Sequence, residues 1–177
     1  MRTWIMAAAA LALAACGQAG TGPELPESNA SGANAPSTPQ SSSAPQANLS
    51  ADDRRQLEEL ISAYLDDYVG QMAQGMVPAP GFSDEIAPMQ PGTDHRWQVN
   101  LVANTPYRII GACDNECTNL DMELIDSSGS VVESDLLDDD FPLVNFTPSA
   151  NGTYYVRLIM QTCTIAPCYA GARVMTN

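Results

Sequence analysis

Residues 105–113 read TPYRIIGAC, residues 118–130 read TNLDMELIDSSGS, and residues 148–175 read PSANGTYYVRLIMQTCTIAPCYAGARVM. Each is a short apolar or alternating run broken by Asn, Asp, Gly, Pro or Ser. Alternation sends successive side chains to opposite faces of a strand, and the turn residues reverse the chain between strands. Leu120, Met122 and Leu124 fall on one face, with Asp121 and Glu123 on the other. Tyr154, Val156, Leu158 and Met160 share a face in the same way. This pattern predicts a mainly β fold, an antiparallel jelly-roll-like β-sandwich over residues 93–177.

Working outward, further strands are expected at 95–103 (Trp97, Val99 and Leu101 inward), 107–113, 131–132, 143–147 and 169–175. Asn104, Asp126 to Gly129, and Asn151-Gly152 mark turns. Residues 77–92 hold Pro78, Pro80, Pro88 and Pro91, and are expected to be a surface loop. Before them, residues 49–76 predict one amphipathic helix. Leu57, Leu60, Ile61, Tyr64, Leu65, Tyr68, Met72 and Met76 recur at three- and four-residue spacing. Ser50 is the expected N-cap, Asp52 and Asp53 suit the first turn, and Gly75 suits the C-terminal stop. The apolar stripe is expected to pack on the chain's own sandwich, with a partner's groove as the alternative.

Residues 17–48 are Ala, Ser, Pro, Gly, Asn and Gln with almost no large apolar side chain, the composition of a disordered linker. As a coil its ends would lie about 30 Å apart, and fully extended it would reach about 100 Å. Residues 1–15 have a basic residue, Arg2, and an apolar run too short to span a bilayer, as in an export signal. Leu13-Ala14-Ala15-Cys16 resembles the bacterial lipobox. The resemblance implies lipidation of Cys16, a multiply acylated membrane anchor, and, with Gly17 rather than Asp following, sorting to the outer membrane.

Lipidation of Cys16 leaves four of the five cysteines, an even number for an oxidising compartment. Local pairs, Cys113 with Cys117 and Cys163 with Cys168, would stabilise by about 2 kcal/mol each. Pairing across, Cys113 to Cys163 and Cys117 to Cys168, would close loops of about 50 residues and give about 4 kcal/mol each. Local pairing is preferred, because each pair sits where a loop leaves a strand, but spacing does not choose among three connectivities. In a hairpin, Cys163 opposite Cys168 would turn Tyr169 and Arg173 toward the core, which a bulge near Gly171 would relieve. A zinc site is disfavoured, since the spacings are wide and no His is near.

The segments Leu120-Asp-Met-Glu-Leu-Ile-Asp126, Ser128-Gly129 with Val131, and Asn151-Gly-Thr-Tyr-Tyr-Val156 resemble the bacterial pre-peptidase C-terminal domain, over residues 97–174. The resemblance implies a small jelly-roll-like sandwich without an active site. Relatives of that kind are appended to secreted enzymes, where they target, bind collagen or polysaccharide, or take part in processing, and some bind calcium. The two cysteine pairs depart from the family pattern.

The chain has 21 acidic residues, seven Arg and no Lys, for a net charge of −14. Such a surface repels nucleic acid and anionic headgroups. Ten acids lie between Cys113 and Asp140 with no basic residue among them. Asp114, Glu116, Asp121 and Asp138 are the candidate calcium ligands, because Ca²⁺ takes six to eight oxygens; a solvated acidic rim is the alternative. His95 is the single His, and no GxSxG, HExxH or phosphate-cradling loop occurs, so an enzyme is not expected. Tyr107, Tyr154, Tyr155 and Trp97 would serve as a sugar-stacking platform if they faced out, but Trp97 and Tyr154 fall on the inward phase. The expectation is a lipid-anchored envelope protein with a non-catalytic binding or structural sandwich. Its partner would be an envelope protein or a polysaccharide. The alternative is a calcium-dependent accessory or chaperone-like subunit of a secreted enzyme.

Overall fold

The computed structural model describes residues 44–177. Cys16, the signal of residues 1–15 and the linker up to residue 43 lie outside the described residues. Among the described residues there is one helix, α1, which spans Ala51–Met72. Its start follows the sequence: the Ser50 hydroxyl accepts from the Asp53 amide, and the Asp53 carboxylate accepts from the Ser50 amide. This reciprocal box satisfies two otherwise unpaired donors and holds the Asp53 carboxyl below its usual range, chiefly through the Ser50 hydroxyl. The helix runs through Gly70 and ends at Met72, short of the expected 76. Gly75, at φ +84°, sits in the turn that follows rather than at the helix end. No basic residue stands in the last turn. The missing cation comes from the sheet, where the Arg108 guanidinium donates to the Met72 carbonyl.

Nine strands follow: β1 (Val77–Pro78), β2 (Glu85–Met89), β3 (Asp94–Leu101), β4 (Tyr107–Cys113), β5 (Cys117–Asp126), β6 (Val131–Asp135), β7 (Leu143–Phe146), β8 (Gly152–Cys163) and β9 (Cys168–Thr176). They form two antiparallel sheets. One runs β3-β8-β5-β6; the other runs β1-β9-β4-β7, with β2 also paired to β9. The stretch expected to be a loop, 77–92, therefore contributes two strands. Its prolines hid them, but Pro78 and Pro88 lie on an edge, where a missing N–H removes no second ladder.

The core lies between the sheets. Val99, Leu101, Leu120, Met122, Leu124, Val156, Leu158 and Met160 come from one, and Ile109, Val144, Ala170, Ala172 and Val174 from the other. Complete burial of one such aliphatic side chain is worth about 1.5–3 kcal/mol. A second core lies on the outer face of the β4-β9 sheet, where Ile61 and Leu65 of α1 pack on Ile110, Ala112, Tyr169 and Met175. The helix thus covers its own sandwich, as one of the two expectations held. Strand β9 is buried on both faces.

From β3 onward, only β5 and β6 form a hairpin between consecutive strands. The other connections cross from sheet to sheet. This corrects the hairpin expected at 163–168: β8 and β9 do not pair, and the chain arches between layers there. Tyr169 and Arg173 do point inward, but toward the helix. No bulge is needed, and the β9 register is unbroken through Gly171 in both ladders. Gly171 serves close approach instead. A Cβ there would lie 2.7 Å from the Glu85 carbonyl oxygen, 2.8 Å from Ile86 and 2.9 Å from Ile61. Arg173 is satisfied by a bidentate pair with Asp84, both contacts 2.7 Å, and by Asp66 of α1 at 2.5 Å. These bonds raise its already high pKa.

Candidate functional site

The four paired cysteines sit at one end of the sandwich. Cys113–Cys117 bridges the arch between β4 and β5, and Cys163–Cys168 bridges the arch between β8 and β9. The preferred local pairing is the one present. Each bond spans a passage between sheets, so it fixes the chain where neither ladder can hold it.

The two arches are zipped together by two of the acids. The Asp114 amide donates to the Tyr169 carbonyl at 2.9 Å, and the Asp114 carboxylate accepts from the Tyr169 amide at 2.6 Å. The same carboxylate accepts from the Glu116 amide at 3.2 Å. Asp114 is buried, and that burial raises its pKa against the pull of these amides. Thr164 donates from its amide to the Glu116 carbonyl at 2.8 Å and from its hydroxyl to the Glu116 carboxylate at 2.6 Å.

The other two candidate ligands lie apart. Asp121, also buried, accepts from the Gln161 side chain at 2.6 Å on the outer face of the β3-β8-β5-β6 sheet. Asp138 accepts from the Asn119 amide group at 2.8 Å in the loop before β7. Among the described residues, no three of His, Cys, Asp and Glu are placed to hold a metal ion. The four candidate calcium ligands are not gathered at one point: Asp114 and Glu116 belong to the arches, Asp121 to the outer sheet face and Asp138 to the loop before β7.

The sugar platform does not form. Tyr107 is buried and its hydroxyl accepts from the Val102 amide. Trp97 and Tyr154 pack against the core, and Arg96 covers the face of Tyr155 at 5.1 Å. His95 pairs with Glu85 at 2.8 Å and stacks on Trp97, closing the open side between β2 and β3.

What sequence reasoning missed is the far end of the expected linker. Residues 44–48 are docked. The Ala47 amide donates to the Ala166 carbonyl at 2.7 Å, and the Ala166 amide donates to the Pro45 carbonyl at 2.8 Å, forming a parallel bridge. The Gln46 and Gln90 side chains exchange two amide hydrogen bonds, at 2.9 and 3.1 Å. Two cavities of about 270 Å³ flank this strap, and Ala47, Leu49 and Pro167 line both. The first adds Asn48, Arg54, Pro88 and Tyr169. The second adds Leu57 and Leu60 of α1, Ile165, and the Asp114–Glu116 arch. Here the chain presents an apolar recess with polar rims. The signal available in the sequence was weak, since Ala44-Pro45-Gln46 repeats the X-Pro-Gln of Thr38-Pro39-Gln40 and does not stand out from the linker.

Among the described residues, no helix is long and apolar enough to cross a membrane. No family model matches the chain, and no curated protein matches it at a significant level.

Proposed function

We propose that the chain is a lipid-anchored protein of the cell envelope, held at the outer membrane through Cys16, which carries a non-catalytic binding module. The observation that carries this reading is the pairing of all four cysteines downstream of the lipobox-like run. Disulfides of this kind persist in exported proteins and are rare in a reducing cytosol. The binding role is supported by the recess at the stapled end, where three leucines, an isoleucine and a proline converge with a few polar groups. The non-catalytic character is supported by His95, which is engaged by Glu85 and Trp97 in joining the two sheets.

The test is metabolic labelling of the full chain with an alkyne fatty acid, followed by membrane fractionation. The wild-type chain should carry the label and sediment with outer membrane. Cys16→Ser should lose the label and leave the membrane. An unlabelled wild-type chain would overturn the anchor.

A further inference from the structure

We infer that the strap of residues 44–48 is a displaceable occupant of a peptide-docking site, whose proper ligand is an extended segment of a partner protein with an apolar residue at the position Ala47 fills. This goes beyond the envelope role and does not depend on the lipid.

Three observations lead there. First, the strap binds as a ligand does in strand addition. It uses backbone hydrogen bonds to Ala166 and one side-chain amide pair with Gln90, the mode by which folded domains capture extended peptides. Second, its hold is slight. Pro45, Gln46 and Asn48 are exposed, and no large side chain is buried by the strap, so its opening free energy belongs at the low end of the molecule. Third, it fills the site poorly. Ala47 lines both flanking cavities yet offers only a methyl group to about 270 Å³ on either side. A Leu or Ile in its place would bury several further methylenes against Leu57, Leu60 and Ile165 on one side, or Pro88 and Tyr169 on the other. The recess itself is prebuilt, because the disulfides and the Asp114 and Glu116 hydrogen bonds fix its wall. A cis segment competes at an effective concentration on the order of millimolar, so a modest ligand suffices to displace it.

The experiment uses the full chain and fluorescein-labelled synthetic peptides read by anisotropy. One peptide has the sequence of residues 43–48, Ser-Ala-Pro-Gln-Ala-Asn; the other carries Leu at its fifth position. The protein is compared with Gln46→Ala and with the double variant Gln46→Ala, Ala47→Pro, which also removes the N–H given to Ala166. Both peptides should bind the double variant about tenfold more tightly than the wild type, because the cis competitor is released. The Leu peptide should bind about tenfold more tightly than the Ala peptide. Absence of binding to either variant up to about 5 mM peptide would overturn the site, since the cis segment acts at that scale. A concentration-dependent dimer of the wild type would assign the groove to a second copy and overturn the partner peptide. Hydrogen exchange on the unmutated chain gives a check independent of variants. The Ala47 and Ala166 amides should exchange about two orders of magnitude faster than that of Val156. Equal rates would mean the strap opens only with the whole fold, and would end the idea.

Discussion

The two faces of the β4-β9 sheet are both covered but built from different chemistry. The inner face meets the other sheet through aliphatic side chains at regular alternation, Ile109, Ala170, Ala172 and Val174 against Leu124, Val156 and Leu158. The outer face meets α1 through a mixture: Ile110, Ala112 and Met175, a bare Gly171, the tyrosine ring of Tyr169, and Arg173 bonded to two carboxylates. The inner contact is non-directional and rests on burial of area. The outer one rests on fit and on a few directed bonds, so it should respond to different perturbations.

The sharpest contrast is in truncation. Leu158→Ala opens a cavity between the sheets and should destabilise by about 4 kcal/mol in urea denaturation. A loss under about 1 kcal/mol would mean that the inner core tolerates collapse and is not close-packed. On the helix side the larger effect comes from adding an atom. Gly171→Ala should cost about 3 kcal/mol, because its methyl group would strike the Glu85 carbonyl and Ile61. If that variant proved neutral, the close approach of β2 to β9 would be wrong.

Arg173→Ala should cost about 2 kcal/mol, since Asp84 is left half-desolvated and without its partner. The loss should persist in high salt, in contrast to removal of the exposed Arg55–Asp52 pair, which should be nearly silent. Asp114→Asn should cost about 1.5 kcal/mol at neutral pH, because an amide cannot accept from both the Tyr169 and Glu116 amides. The pH dependence has a definite sign. Burial raises the native carboxyl above its unfolded value, so the native state binds the proton more tightly. The contribution is present in full below the unfolded pKa and is lost as pH rises through the native one. The wild type should therefore gain stability over the Asn variant as pH falls through that window; urea midpoints across the acid range that moved the other way would contradict it. Smaller than the Asp114 effect is Ser50→Ala, about 1 kcal/mol from loss of the helix cap, read as a lower thermal midpoint.

The same contrast explains what was legible in the chain. The inner core could be read directly, because period-two alternation over Leu120 to Leu124 and Tyr154 to Met160 is a local signal that the sheet amplifies. The Ser50 cap and the helical stripe were equally local. Strand β9 was legible as a strand at 169–175, but its facing was not, since a strand covered on both faces loses its alternation and leaves Tyr169 and Arg173 as a puzzle. Strands β1 and β2 were masked by prolines that an edge accommodates. For the candidate site, the disulfide partners could be anticipated, but Asp114 and Glu116 looked like loose cation ligands. Their roles depend on Tyr169 and Thr164, about fifty residues away in the chain, and on which sheet each strand joins.

Both covalent staples lie at one end of the sandwich, and the turns at residues 102–106, 126–130 and 147–151 cluster at the other. Among the described residues these turns are tied by hydrogen bonds alone, such as the Asn104 amide to the Pro148 carbonyl. The molecule therefore has a grafting end and a fixed end. Lengthening the free turns should cost only about 0.6 kcal/mol for each doubling. Randomised or foreign loops could be displayed there on a scaffold whose opposite pole stays locked under oxidising conditions.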